Sequence, residues 1–148
     1  MRKEYSLHLD YSVPLGDTYS KFFEGLKNKK LLGNRCKKCN RLYVPARPYC
    51  DICCEETSEL FDVEADGIII SYTVYYIASL GLPKPPFAQG IIKIGEAANS
   101  FLHYIGGIEF SDADDLKDKI SIGMKVKPVW AENRTGDIMD IEYFEPLK

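Results

Sequence analysis

The chain has no run approaching the ~20 apolar residues that a membrane-spanning helix needs. The basic residues of its opening, MRKEYSLHLDYSVP, lead into no apolar stretch of the secretory kind. A cytoplasmic setting without a membrane partner is therefore expected. Histidine is nearly missing, with His8 and His103 the only two in 148 residues, and no recognisable nucleophile motif accompanies them. Most acid–base and nucleophilic enzymes are thereby disfavoured. There is no internal repeat and no low-complexity tract, which argues against solenoids and disordered linkers. Acidic residues vanish from one stretch: Lys27, Lys29, Lys30, Arg35, Lys37, Lys38, Arg41 and Arg47 follow one another with no Asp or Glu between them.

What is present describes a folded protein. A hydrophobic share of 45% and an aromatic share of 12% supply a core. The length suits one ordinary domain, or a small domain with a metal-held module, but not two full-sized domains. Net charge is −3, yet it is unevenly spread. Immediately after the basic stretch come Asp51, Glu55, Glu56, Glu59, Asp62, Glu64 and Asp66 with no Lys or Arg among them. A positive module is followed by a negative connector, and the balance of the whole disfavours nucleic acid as a partner.

Three regions follow from the patterning. In an N-terminal helical segment, 1–30, Tyr19, Phe22, Phe23 and Leu26 recur at helical spacing, which predicts an amphipathic helix over 17–30 capped by Asp17. The sequence leaves open whether that helix packs on its own chain or on another subunit. Residues 31–59 carry the cysteines with little periodicity, too few apolar residues to order without a metal. Residues 60–148 read as β: GIIISYTVYY (67–76), FAQGIIKI (87–94), FLHYIGGI (101–108), KVKPVW (125–130) and DIMDIEYF (137–144) are of strand length and bounded by turn residues. Between the third and fourth, SDADDLKDKIS predicts a short helix through Leu116 and Ile120, capped by Ser111. The fold class expected is mainly β with an N-terminal helix: a rubredoxin-like zinc ribbon, then a five-stranded OB-fold barrel.

The strongest motif is a pair of C-x-x-C turns, Cys36-Lys37-Lys38-Cys39 and Cys50-Asp51-Ile52-Cys53. Four thiolates from two such knuckles satisfy a tetrahedral structural zinc. Iron in a rubredoxin-like carrier uses the same four sulfurs and is the alternative metal. A fifth cysteine, Cys54, follows the second knuckle where the chain favours Gly or Asn; Asn40 holds the equivalent place after the first. In a reducing compartment the odd cysteine count suits metal ligation better than disulfides.

With these words in this order, the chain resembles a family of zinc-ribbon plus OB-fold proteins, long catalogued as a domain of unknown function, that accompany thiolases and related acyl-CoA enzymes. The matching segments are LLGNRCKKCNRLYVPARPYCDIC, GIIISYTVYY, PKPPFAQGIIKI and IGMKVKPVW, spanning nearly the whole chain. The most specific is C-x-x-C, then Pro45-Ala46-Arg47, then C-x-x-C. The chain departs from the family pattern in having no Gly after either knuckle. The resemblance implies a non-catalytic accessory protein with zinc as its cofactor. It implies binding of an acyl-CoA through its coenzyme A moiety, or scaffolding of a thiolase-fold partner, in fatty-acid, sterol, polyketide or isoprenoid-precursor metabolism.

Phosphates of a coenzyme A thioester would be met by Lys37, Lys38, Arg41 and Arg47, since Arg forks match phosphate oxygens and Lys supplies a point charge. The same residues equally serve to keep a small exposed module soluble. The apolar loop SLGLPKPPF, with Leu80, Leu82 and Phe87, would line a pantetheine or acyl groove, contact a partner, or cap one barrel end. His103 reads as a barrel histidine and not a catalytic one. The rival class is a single-stranded nucleic-acid binder stacking bases on Tyr72, Tyr75, Tyr76 and Phe101.

Overall fold

A computed structural model describes residues 11–78 and 81–147. His8, Leu80 and the first ten residues of the N-terminal segment lie outside the described residues. The elements run α1 (Gly16–Lys27), β1 (Leu31–Arg35), β2 (Leu42–Tyr43), β3 (Phe61–Val63), β4 (Gly67–Tyr75), β5 (Phe87–Ile94), β6 (Phe101–Ile105), α2 (Ala113–Lys119), β7 (Lys125–Trp130), a 3-10 turn (Ile138–Asp140) and β8 (Ile141–Pro146). None of the described helices is long and apolar enough to cross a membrane.

Branched residues alternating along β4 to β8 close a five-stranded barrel in the order β4-β5-β6-β8-β7, with β4 also paired to β7. Counted from β4, the fifth strand lies between the third and fourth, and α2 connects the third to the fourth. This is the barrel expected from the sequence. Along β5, Ala88, Gly90, Ile92 and Ile94 point inward while Ile91 and Lys93 point outward, the two-residue period of a half-buried strand. Ile69, Ile92, Phe101, Val126 and Phe144 form the buried centre.

The predicted strand over 137–144 is corrected. Its first part is the 3-10 turn, because Asp137 caps Met139 N–H at 2.9 Å, and the buried Asp140 carboxylate turns back to accept from Thr135 (3.0 Å) and Gly136 (2.8 Å). Pairing resumes at Ile141. The strand expected over 101–108 stops at Ile105, where Gly106 and the left-handed Gly107 turn the chain away. Ser111 is not the cap of α2. Asp112 is, accepting from Asp114 (3.0 Å) and Asp115 (2.9 Å), while Ser111 donates its own N–H to Asp115.

The N-terminal helix also differs from expectation. It begins at Gly16 with Leu15 in the cap position and no side-chain cap, so Asp17 sits in the first turn and pairs with Lys21 across one turn at 2.8 Å. It ends at Lys27, not residue 30. Asn28 Nδ2 takes the Glu24 carbonyl (2.8 Å), Lys29 adopts φ 58°, and Arg134 Nε from the barrel donates to the Lys27 carbonyl (2.9 Å). Phe22 and Leu26 are buried, and the Phe22 ring lies 6.3 Å from Phe101 of β6. Burying these two side chains is worth about 2–3 kcal/mol each. The helix therefore packs on its own barrel.

The cysteine segment is less core-poor than its composition suggests. β1 pairs with β2 on one side and β3 on the other, so Phe61–Val63 joins the ribbon's sheet and not the barrel's. Leu31, Leu42, Val44 and Ala46 belong to the same buried cluster as the barrel residues. The turn after β5 clasps them: Ala98 N–H donates to the Leu42 carbonyl (2.8 Å), Val44 N–H to Asn99 Oδ1 (2.7 Å), and Asn99 Nδ2 to the Pro45 carbonyl (2.9 Å).

Candidate metal centre

Two turns of matching geometry present the sulfurs. In the first, Asn40 N–H returns to the Cys36 carbonyl (2.9 Å) with Asn40 at φ 59°; in the second, Cys54 N–H returns to the Cys50 carbonyl (3.1 Å) with Cys54 at φ 54°. Cys54 thus holds the left-handed place that usually falls to Gly or Asn, and its thiol is exposed and outside the cluster. Cys36, Cys39, Cys50 and Cys53 bring their Sγ atoms within 4.8 Å of one another. Zinc with Zn–S bonds near 2.3 Å places tetrahedral sulfurs about 3.8 Å apart, and Cys39 and Cys50 stand 3.7 Å apart. The donor set fits zinc.

Backbone amides already point at these sulfurs. Lys38 and Cys39 N–H approach Cys36 Sγ at 3.4 Å, and Cys53 N–H approaches Cys50 Sγ at 3.3 Å, the partners that stabilise thiolate ligands. Tyr43, fully buried from β2, sets its hydroxyl 3.2 Å from Cys50 Sγ and against the Asp51 carboxylate. That hydroxyl, with the nearby amides, holds the Cys50 thiol down to about 6. The Cys39 hydrogen bond and burial push Cys53 up to about 12. A dication at the centre of the four sulfurs would favour their thiolate forms. Burial, then the Asp51 carboxylate, raises the Tyr43 phenol, so it stays a neutral donor.

Behind the knuckles sits a polar clamp. Asn34, fully buried on β1, donates through Nδ2 to the Arg47 carbonyl and to Thr57 Oγ1, both at 2.8 Å, and accepts from Arg47 N–H at 3.1 Å. Sequence reasoning overlooked Asn34, Tyr43 and Asn99. The signal was a polar Asn inside a strand next to a ligand, and a Tyr two residues before the Pro45-Ala46-Arg47 run.

Residues 23–57 match the ChsH2 rubredoxin-like zinc ribbon domain. A crystal structure of a DUF35-family protein of unknown function from Sulfolobus solfataricus superimposes with a TM-score of 0.62 at 28% identity, covering 77% of this chain and 78% of that one. A DUF35 domain-containing scaffold protein of Methanocaldococcus jannaschii is 29% identical over 124 residues, 80% of this chain and 82% of that protein. Residues 23–57 thus carry the zinc-ribbon similarity, and over most of its length the chain is similar to DUF35-family proteins. Its metal is zinc. A chain of an Ltp2–ChsH2(DUF35) aldolase structure matches this one with a TM-score of 0.61 at 25% identity, over 85% of this chain and 91% of that one. A probable enoyl-CoA hydratase alpha subunit of Thermomonospora curvata is 25% identical over 111 residues; this chain spans 32% of that relative's length.

The expected ligand-binding residues fall into two groups in the structure. Lys37 and Lys38 are exposed beside the ribbon and face Glu56 (3.7 Å) and Glu55 (3.9 Å), so the positive module and the negative connector fold onto each other. Arg41 lies near Asp51, and the Arg47 guanidinium sits 5.7 Å from the centre of the Tyr43 ring. Phe87, stacked on Tyr75 at 4.5 Å, borders a shallow depression of about 310 Å³ with Pro83, Tyr104, Met139 and Tyr143. Leu82 is half-buried in the loop before it. The ribbon is clasped just beyond Ile94, so Phe87 lies the length of β5 away, roughly 23 Å for seven strand steps.

His103 is buried with both nitrogens engaged. Tyr104 N–H donates to Nδ1 (2.9 Å), leaving the proton on Nε2 for the Ile138 carbonyl (3.1 Å). Burial lowers its pKa below the ordinary 6.5, which keeps it neutral. Of the aromatics that would stack bases, Phe101 is in the core and Tyr75 is covered by Phe87, while Tyr72 and Tyr76 bond Lys117 O and Asp114 through their hydroxyls and Tyr76 stays exposed.

Proposed function

We propose that this chain is a non-catalytic accessory subunit of the cytoplasm that holds an acyl-CoA enzyme of the thiolase fold and binds the coenzyme A part of its thioester. The setting would be lipid, polyketide or isoprenoid-precursor metabolism. The observation that carries the reading is the closed metal centre: four cysteines fill every position of a tetrahedral zinc, leaving no place for a substrate or a reactive water. Beside it, His103 has no free nitrogen. Similarity to a scaffold protein and to a DUF35 chain in an aldolase structure supports a holding role.

In this reading residues 1–30 are the helical segment, 31–59 together with β3 the ribbon, and the rest of 60–148 the barrel. Lys37, Lys38, Arg41 and Arg47 take the phosphates, the exposed pairs of Lys37 with Glu56 and Lys38 with Glu55 being weak enough to exchange. Leu82 and Phe87, at the far end of β5, take the acyl side or the enzyme itself. The test is affinity purification from the native cell, then calorimetric titration of acetyl-CoA into this chain, the co-purified enzyme and their mixture. The mixture should bind more tightly than the enzyme alone, and Lys38→Glu with Arg47→Glu should weaken that binding at least about tenfold. Equal binding by the mixture and the enzyme alone refutes the coenzyme A role.

A further inference from the structure

β4, β5 and β6 contain no Asp or Glu. Their inward residues build the core, but their outward residues are also largely aliphatic. Ile68, Ile70, Ile91 and Leu102 are exposed by 43%, 43%, 40% and 65%. They are neighbours: Ile91 pairs directly with Leu102, and the register shift between Ile69 and Ser71 sets Ile70 beside Ser71, the partner of Ile91. Directly paired residues on one face stand about 4.5–5.5 Å apart. Ile68 is flanked by its two partners, Lys93 on β5 and Lys125 on β7. Neither lysine makes an ion pair among the described residues, whereas the neighbouring Lys127 is held by Glu145 at 3.3 Å.

We propose that the outer face of β4, β5 and β6 is the surface by which this chain holds its enzyme partner, a protein presenting an apolar patch edged by carboxylates opposite Lys93 and Lys125. The inference rests on the accessory-subunit reading. A contiguous aliphatic patch on a monomer marks an interaction site, and an interface core depleted of charge with a charged rim is how protein partners meet. Charge decides between occupants. A second copy docked through this same face would bring lysines to lysines with no countercharge, because these strands carry no acid. A partner with carboxylates satisfies both cations.

Two double variants test it: Ile91→Asp with Leu102→Asp, and Lys93→Glu with Lys125→Glu. All four side chains face outward, so zinc content and the thermal transition should stay those of wild type. Affinity for the purified acyl-CoA enzyme, taken from the wild-type complex and identified by its activity and mass, should fall at least about a hundredfold for the first variant and about tenfold for the second. Wild-type affinity in the Ile91→Asp, Leu102→Asp variant overturns the proposal. So does a wild-type dimer in light scattering that this variant turns into a monomer, which assigns the face to a second copy. Capture of wild type, but not the variant, by phosphatidylserine vesicles in place of the enzyme assigns it to a lipid surface and also overturns it. If the accessory-subunit reading itself fails, the sign is different: wild type retains no acyl-CoA enzyme, and both ideas fall together.

Discussion

The ribbon and the barrel achieve order by different means within one chain. The barrel buries Ile69, Ile92, Phe101, Val126 and Phe144 around a centre whose strands bond all the way round. The ribbon has short strands and orders its loops through sulfur, an amide clamp at Asn34 and a buried phenol at Tyr43. Apolar burial is distributed, so single losses are partial. A metal centre is concentrated, so removing one component removes the organising element.

Zinc removal gives the largest expected effect. Structural zinc contributes on the order of 10 kcal/mol in small ribbons. Elemental analysis should show one equivalent of bound zinc in the wild type and none after chelation or in Cys36→Ser with Cys39→Ser. It should also erase amide-exchange protection across 34–58 while β4 and β5 stay protected. Loss of protection in both regions at once would break the contrast and make the chain one cooperative unit. Next comes Phe144→Ala, which should cost about 3–5 kcal/mol in a denaturant titration, with zinc stoichiometry unchanged at temperatures where the protein remains folded.

Asn34→Ala sharpens the comparison at smaller scale. It should cost about 1–3 kcal/mol because the Arg47 N–H and Thr57 lose a buried partner, and exchange should quicken first at 47–57. Cys54→Gly should act in the opposite direction and stabilise the ribbon by about 1 kcal/mol, since φ 54° strains a residue with a Cβ. A thermal-shift assay with zinc present reads this gain. His103 has the smallest effect at neutral pH. Its folded pKa lies below the ordinary 6.5, so between the two values the unfolded chain binds more protons than the folded one. Its stabilising contribution is full above pH 6.5 and declines as pH falls below it, and His103→Gln should flatten that part of the stability–pH curve.

The parts legible in the sequence were those set by local spacing. Two C-x-x-C turns place four sulfurs because the two cysteines of each pair are only three residues apart, whatever surrounds them. Branched runs became strands at nearly their expected bounds. What stayed hidden depends on contacts distant in sequence. Asp17 and Ser111 are sound cap types, yet α1 has the uncapped Leu15 in the cap position, two residues earlier, and Asp112 caps α2 one residue later; caps compete at that range. Arg134 reaches over a hundred positions back to finish α1, and no pattern within the helix announces it. Phe61–Val63 looks like a barrel strand by composition and pairs with β1 instead. Lys37 and Lys38 read as free charges until the second knuckle folds Glu55 and Glu56 onto them.

The Asn99 clasp has a consequence for modularity. Its amide reads the backbone on both sides of the Val44–Pro45 bond, accepting from one residue and donating to the next, while Ala98 fixes Leu42, two residues before. A ribbon transplanted from another four-cysteine protein would bring its own zinc and fold its own knuckles. It would still tilt unless its backbone offered the same donor and acceptor to Asn99. Recombination that respects this chain must therefore carry the β5–β6 turn along with the cysteines, making the exchangeable unit a discontinuous one that no cut at residue 59 can release.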